Sequence, residues 1–172
     1  MSREIFILRH CKSDWDNNIH QDALRPLSVR GLRDGSAMGR WMHKQGLRPE
    51  LVLCSTALRA RQTIELVNES LQLPMDSIHF HDDLYLASLA TLLNHLATTD
   101  LAYKSVMLVG HNPGLDSLVE YISRDPVALS KTGKLMSTGC LAHFACTDNW
   151  QALQQQGNLL SITRPADISN DK

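Results

Sequence analysis

Two histidines and two arginines in this chain have the types and placement to handle a phosphoryl group. Arg9-His10 follows the apolar run Ile5-Phe6-Ile7-Leu8. Arg59 lies one turn beyond a second run, Leu51-Val52-Leu53-Cys54. Gly110-His111 directly follows a third, Ser105 to Val109. A neutral imidazole is a competent nucleophile toward phosphorus, and water can clear the resulting phosphohistidine. A phosphoryl group in transfer carries charge on three equatorial oxygens, which fixed cationic donors stabilise. Arginine suits that role because its planar fork holds two oxygens at once and stays charged. The chemistry these residues suggest is transfer of a phosphoryl group without a metal.

Such residues must be brought to one place by the elements between them. Short apolar runs of strand formers read as central parallel strands buried on both faces. Ser28 is placed to cap a helix from Val29 to Gln45 whose apolar residues are Leu32, Met38, Trp41 and Met42, stopped near Gly46. Ser55 or Thr56 caps a second helix, from about Ala57 to Leu71. Ile78 to Phe80 is a short edge strand, and residues 88–97 are helical. Pro113 suits the first turn of a helix reaching about Ile122. Residues 124–138 read as loop, and Leu141–Cys146 with Leu159–Thr163 as a closing hairpin. The alternation predicts an α/β fold, a single three-layer domain with a mostly parallel central sheet. In such a sheet ligands bind beyond the carboxyl ends of strands, where the four residues lie. Helix N-termini near Ser55 and Pro113 are expected to add N–H donors.

The segments Arg9-His10, Ser55-Thr-Ala-Leu-Arg59-Ala-Arg-Gln-Thr63 and Gly110-His111 resemble the histidine phosphatase superfamily, which includes the phosphoglycerate mutases. Within it, Leu8-Arg-His-Cys-Lys-Ser-Asp-Trp15, Arg25-Pro-Leu-Ser28 and Val109-Gly-His-Asn-Pro-Gly114 are most similar to the SixA-type phosphohistidine phosphatases. The resemblance runs from Ile5 to about Ile122. It implies a phosphoglycerate-mutase-like fold and a nucleophile at His10, its second ring nitrogen held by a backbone carbonyl. It implies phosphate binding by Arg9, Arg59 and His111, with His111 protonated in the complex. Where the family carries glycine this chain has Cys11, adding bulk and a thiol open to oxidation. The family's glutamate aligns with Asp83, the expected general acid, with Asp82 close behind; the other branch's acid position holds Asn112. The implied substrate is phosphohistidine on a protein, with a small phosphorylated metabolite second. A non-catalytic phosphate-dependent binding protein on the same fold is the rival of another class.

Composition narrows the alternatives. At 172 residues and net charge −1, the chain fits one domain, residues 1–163, with a polar tail at 164–172. Near-neutral charge gives no reason to expect nucleic acid or an anionic membrane as partner. Four cysteines without paired spacing suit a reducing compartment. No apolar run reaches membrane-span or signal-peptide length, so a soluble cytoplasmic protein is expected. Oligomeric state is not legible. His20, His43, His95 and His143 read as structural or surface residues, and Arg61, about 200° around the helix from its neighbour, as solvated or structural. Lys12 and Ser13 either touch substrate or face water. Cys54 and Arg59 are one residue too close for a cysteine phosphatase loop. His79 and His81 share a strand face beside Asp82 and Asp83, but no further ligand follows at a recognisable spacing. Neither metal nor cofactor is expected.

Overall fold

Alternation along the strands decides the architecture of this computed structural model, which describes residues 2–16 and 18–168. In β1 (Arg3–Arg9), Ile5 and Ile7 face one way, into a core built with Leu92, Leu96, Leu115, Leu118 and Val119. Phe6 and Leu8 face the other way, into a core with Met38, Met42, Ala60, Ile64 and Val67. Each such side chain contributes about 1.5–3 kcal/mol on burial. A strand buried on both faces needs a helical layer on each side. Helices α1 (Val29–Lys44) and α2 (Leu58–Leu71) supply one layer, and α3 (Leu89–Ala97) and α4 (Gly114–Ile122) the other.

The sheet has six strands in the order β3-β2-β4-β1-β5-β6, where β2 is Leu51–Ser55, β3 Ile78–His81, β4 Ser105–Gly110, β5 Leu141–Cys146 and β6 Asn158–Thr163. Strands β3, β2, β4 and β1 are mutually parallel, while β5 and β6 form an antiparallel hairpin on the other side of β1. The mostly parallel three-layer sheet read from the sequence is therefore present. Ser28 caps α1 through its hydroxyl, which accepts from the Gly31 N–H, and Ser88 caps α3 in the same way.

Several local expectations are corrected. Neither Ser55 nor Thr56 caps α2: Ala57 holds the cap position without a side-chain bond, and Ser55 ends β2 with its hydroxyl used elsewhere. Leu32 is exposed, while the buried face of α1 begins with Gly31, Asp34 and Gly35. Small residues stand there because neighbouring chain passes so close. The loop from Cys11 to Pro26 contains a 3-10 turn at Asp22–Leu24 and a bridge from Ser13 to Leu27. Of the segment read as a polar tail, Pro165–Ile168 form a helical turn, α5, which packs against α1 and buries Pro165; residues 169–172 lie outside the described residues. No helix among the described residues is long and apolar enough to cross a membrane.

Gly31 is the tightest of these contacts and holds the loop that leaves β1. A Cβ there would lie 2.0 Å from the Lys12 carbonyl oxygen, which already accepts from the Ser28 N–H and hydroxyl. Gly31→Ala should lower unfolding stability by about 1–3 kcal/mol, the usual penalty for overpacking. A urea titration would show a lower midpoint at unchanged slope; an unchanged midpoint would mean that this loop is not clamped.

Candidate active site

Strand pairing brings the two histidines together. Arg9 stands opposite Gly110 in the parallel β1–β4 ladder, and the next N–H, that of His10, donates to the Gly110 carbonyl at 3.1 Å. The rings of His10 and His111 then lie 5.1 Å apart, tilted by 50°. His10 Nδ1 is 2.7 Å from the carbonyl of Cys11. A carbonyl only accepts, so Nδ1 carries the ring proton and Nε2 keeps its lone pair. Burial pushes the His10 pKa down to about 4, against the Cys11 carbonyl bond and helped by the charges of Arg59, Arg9 and Arg25. His10 is thus neutral near pH 7, as a nucleophile must be.

The orienting carbonyl is itself held. The Cys11 N–H donates to Thr63 Oγ1 at 3.0 Å, and that hydroxyl donates to the Arg59 carbonyl at 2.7 Å. The Cys11 side chain is fully buried and its thiol is pushed up to about 12 by burial. Burial and the raised pKa both work against oxidation of this thiol.

His111 Nε2 lies 2.8 Å from Ser55 Oγ, which also accepts the Ala57 N–H at 3.2 Å. The serine oxygen keeps a second lone pair and its own proton, so this bond is compatible with either tautomer of the imidazole. His111 Nδ1 is buried and has no partner among the described residues. Burial and the charges of His10, Arg59 and Arg9 push the His111 pKa down to about 3, against the opposing pull of Asp22. Two of the N–H donors expected at the start of α4 are engaged within the chain: the Leu115 N–H with the His111 carbonyl and the Asp116 N–H with Asn112 Oδ1. The Asn112 side chain thus holds a first-turn N–H of α4, at the position where the resemblance places the other branch's acid.

Arg59 is almost wholly buried, and its two terminal nitrogens donate to Asp22, one to the carbonyl at 2.8 Å and one to Oδ2 at 2.9 Å. Arg25 donates to Asp22 Oδ1 at 2.6 Å and to the Ser13 hydroxyl. The Tyr85 hydroxyl donates to Asp22 Oδ2, and the Tyr85 ring meets His111 edge-on at 5.4 Å. Burial would raise the Asp22 pKa, but the hydrogen bonds from Tyr85 and Arg25 and the charge and bond of Arg59 hold it well below the carboxylate range. Arg9 donates to the Met136 carbonyl at 2.9 Å. Nε of Arg9 and Nε of Arg59 are buried without partners among the described residues. Asp83 stands apart from this group: its carboxylate lies 2.9 Å from His95 Nε2 and is mostly exposed.

The profile of the histidine phosphatase superfamily (branch 1) matches residues 5–84. An uncharacterized protein of Mycobacterium tuberculosis is 32% identical over 147 residues, which cover 83% of this chain and 89% of that one. Phosphohistidine phosphatase SixA of Escherichia coli is 28% identical over 155 residues, covering 86% and 92%. A solved structure of the protein histidine phosphatase SixA complexed with tungstate superposes with a TM-score of 0.80 at 25% identity, covering 95% of this chain and 98% of that one. The chain belongs to the histidine phosphatase superfamily. It spans 63% of the length of a chloroplastic relative from Arabidopsis thaliana.

As a histidine phosphatase of SixA-like fold, this chain brings together residues that sequence reasoning left without a role. Arg25 lies in the quoted Arg25-Pro-Leu-Ser28 segment, so a signal for it existed. Ser55 opens the Ser55–Thr63 segment but was read only as a helix cap, Asp22 sits in a polar loop with no periodicity, and Tyr85 carries no motif of its own. Their parts depend on contacts between remote segments. Lys12 and Ser13 separate as well, since the Ser13 side chain is buried against Arg25.

Both site histidines have folded pKa values below the unfolded value of about 6.5. The unfolded chain therefore takes up protons first, and stability falls as pH drops from about 6.5 toward 4. Ring-carbon NMR titration should give midpoints near 4 for His10 and 3 for His111. Midpoints near 6.5 would show that the rings are solvated and that His10 is not held neutral by burial.

Proposed function

We propose that this histidine phosphatase hydrolyses phosphohistidine on a protein through a phosphohistidine intermediate on His10, using neither metal nor cofactor. The observation that carries this reading is the neutral His10 with its proton fixed on Nδ1 toward Cys11, beside the Nε–H groups of Arg9 and Arg59 and the Nδ1 of His111, all without partners among the described residues. His10 Nε2 attacks phosphorus as the bond from phosphorus to the leaving nitrogen breaks, and that nitrogen departs with a proton. Water then attacks the phosphorus on His10, releasing inorganic phosphate and restoring the imidazole. Arg9, Arg59 and His111 hold the three equatorial oxygens, where fixed donors stabilise the transition state most. An arriving dianion favours a protonated His111, since its charge opposes the burial that keeps the ring neutral.

The acid side of the site favours a P–N bond. Asp22 is the carboxylate bonded to Arg59, and it is held ionised, so it has no proton to offer an alkoxide. Asp83, which the resemblance suggested as the acid, pairs with His95. A phosphoramidate nitrogen protonated from solvent leaves without help. The surface favours a protein substrate: Trp15, Leu24 and Leu86 are exposed. Trp15 stacks on Arg25 at 3.5 Å, Leu24 adjoins Arg25, and Leu86 follows Tyr85. Apolar groups around a polar notch are the pattern of a docking surface. Tungstate, held by the related SixA, is a tetrahedral oxyanion like phosphate. The four cysteines are unpaired, which supports a cytoplasmic setting.

The test compares turnover on a phosphohistidine protein, phosphoramidate and an alkyl phosphate with chelator present. Both P–N substrates should be cleaved faster than the ester, and His10→Ala should lose turnover while keeping its fold. Trp15→Ala should raise KM for the protein and leave phosphoramidate unchanged. Preference for the ester would favour a metabolite phosphatase, and an absence of turnover on all three would favour a binding protein.

A further inference from the structure

A second group of polar side chains collects at the edge of the sheet, away from the phosphoryl notch. His81 ends β3, Asp83 lies in the 3-10 turn Asp82–Leu84 that follows, and His95 comes from the last turns of α3. One ligand-type atom from each of the three lies within 4.8 Å of the others. His95 Nε2 is 2.9 Å from Asp83 Oδ1, and the His95 ring meets that of His81 edge-on at 4.7 Å. His81 Nε2 is buried and has no hydrogen-bond partner among the described residues. A buried polar nitrogen left unpaired is unfavourable, so the cluster as it stands is incomplete on its histidine side.

We propose that His81, Asp83 and His95 form a binding site for a divalent transition metal ion of the zinc class. Two imidazole nitrogens and one carboxylate oxygen are donors such an ion prefers, with solvent completing a four-coordinate shell. Calcium and magnesium favour sets made of oxygen alone. Bonds of about 2.0–2.2 Å in a tetrahedral shell place neighbouring donors about 3.4 Å apart. The observed spread is within reach of that by side-chain rotation. His79 is outside the set: its ring centre is 6.5 Å from that of His81, and its Nε2 donates to the Asp76 carbonyl. The sequence hides the site because the third ligand arrives from a separate helix, with no short spacing to reveal it.

The position suggests what the ion does. Tyr85, two residues beyond Asp83, donates to Asp22 and packs against His111. An ion joining the end of β3 to α3 would fix the turn from which Tyr85 reaches the notch. It would brace that wall without touching the reacting phosphoryl group. The site is thus independent of the hydrolytic reading above.

The test is titration of the metal-free full chain with Zn2+ against a chromophoric chelator, with Co2+ as a spectroscopic probe. One equivalent of Zn2+ should bind, Co2+ should show the intense visible bands of a four-coordinate ion, and Zn2+ should raise Tm. His81→Gln, His95→Gln and Asp83→Asn should each weaken Zn2+ binding by at least about tenfold, since losing even an outer partner of a ligand costs about 10–100-fold. His43→Gln, at an exposed histidine, should leave it unchanged. Asp83→Asn alters a mostly exposed side chain and keeps the test decisive if a histidine variant does not fold. Absence of stoichiometric binding, or equal affinity in the three variants and the parent, would overturn the proposal. A Tm change in the variants that is indifferent to Zn2+ would assign His95 and Asp83 to a plain ion pair and would likewise overturn it.

Discussion

The site depends on one register, Arg9 opposite Gly110 in the parallel β1–β4 pair. Sliding either strand by one residue would turn its side chains to the opposite face and part the two histidines. Central position, burial on both faces and a hydrogen-bonded neighbour on each side make that register costly to break. Both histidines follow directly from strands whose ends are set by this pairing. Their alignment is therefore inherited from the core rather than negotiated between loops. Arg59 joins them because β2 pairs with β4 and α2 starts immediately beyond it.

Collecting cations around a buried imidazole has an electrostatic consequence that the fold must manage. Arg9, Arg59 and Arg25 all act on His10 in the direction that keeps it neutral, which leaves positive charge under-compensated. Asp22 answers this by bonding Arg59, Arg25 and Tyr85 at once. A carboxylate held this way imitates the charge, though not the shape, of a phosphoryl group. On the proposed reading, substrate competes with Asp22 for Arg59, and binding includes loosening this ion pair. That arrangement keeps the notch ordered without a ligand and still admits an anion that offers more oxygens to the same donors.

The parts legible in the sequence were those governed by local pattern. Ile5–Leu8, Leu51–Cys54 and Ser105–Val109 are uninterrupted apolar runs, so the strands, and the residues leaving their ends, could be placed. Ser28 precedes helical periodicity and caps as expected. Ser55 did not, because its hydroxyl is drawn to His111 from a strand that is distant in sequence. Leu32 was misplaced because apolar character marks a buried face only where there is room, and close approach at Gly31 and Gly35 gave that face to glycine. The bonds of Asp22 to Arg59 and Tyr85, and the pairing of Asp83 with His95, arise from contacts between segments apart in sequence. Periodicity and spacing are silent about them.

The central claim is that the Nε2 of a neutral, buried His10 takes the phosphoryl group. Its most direct test is rapid alkaline quenching during turnover of a phosphoramidate, followed by mass-spectrometric mapping of the phosphorylated residue. The account predicts a single acid-labile phosphoryl adduct on the His10 peptide, formed in a burst and lost at the rate of turnover. An adduct on another residue, or hydrolysis with no protein-bound phosphate at any time, would contradict it.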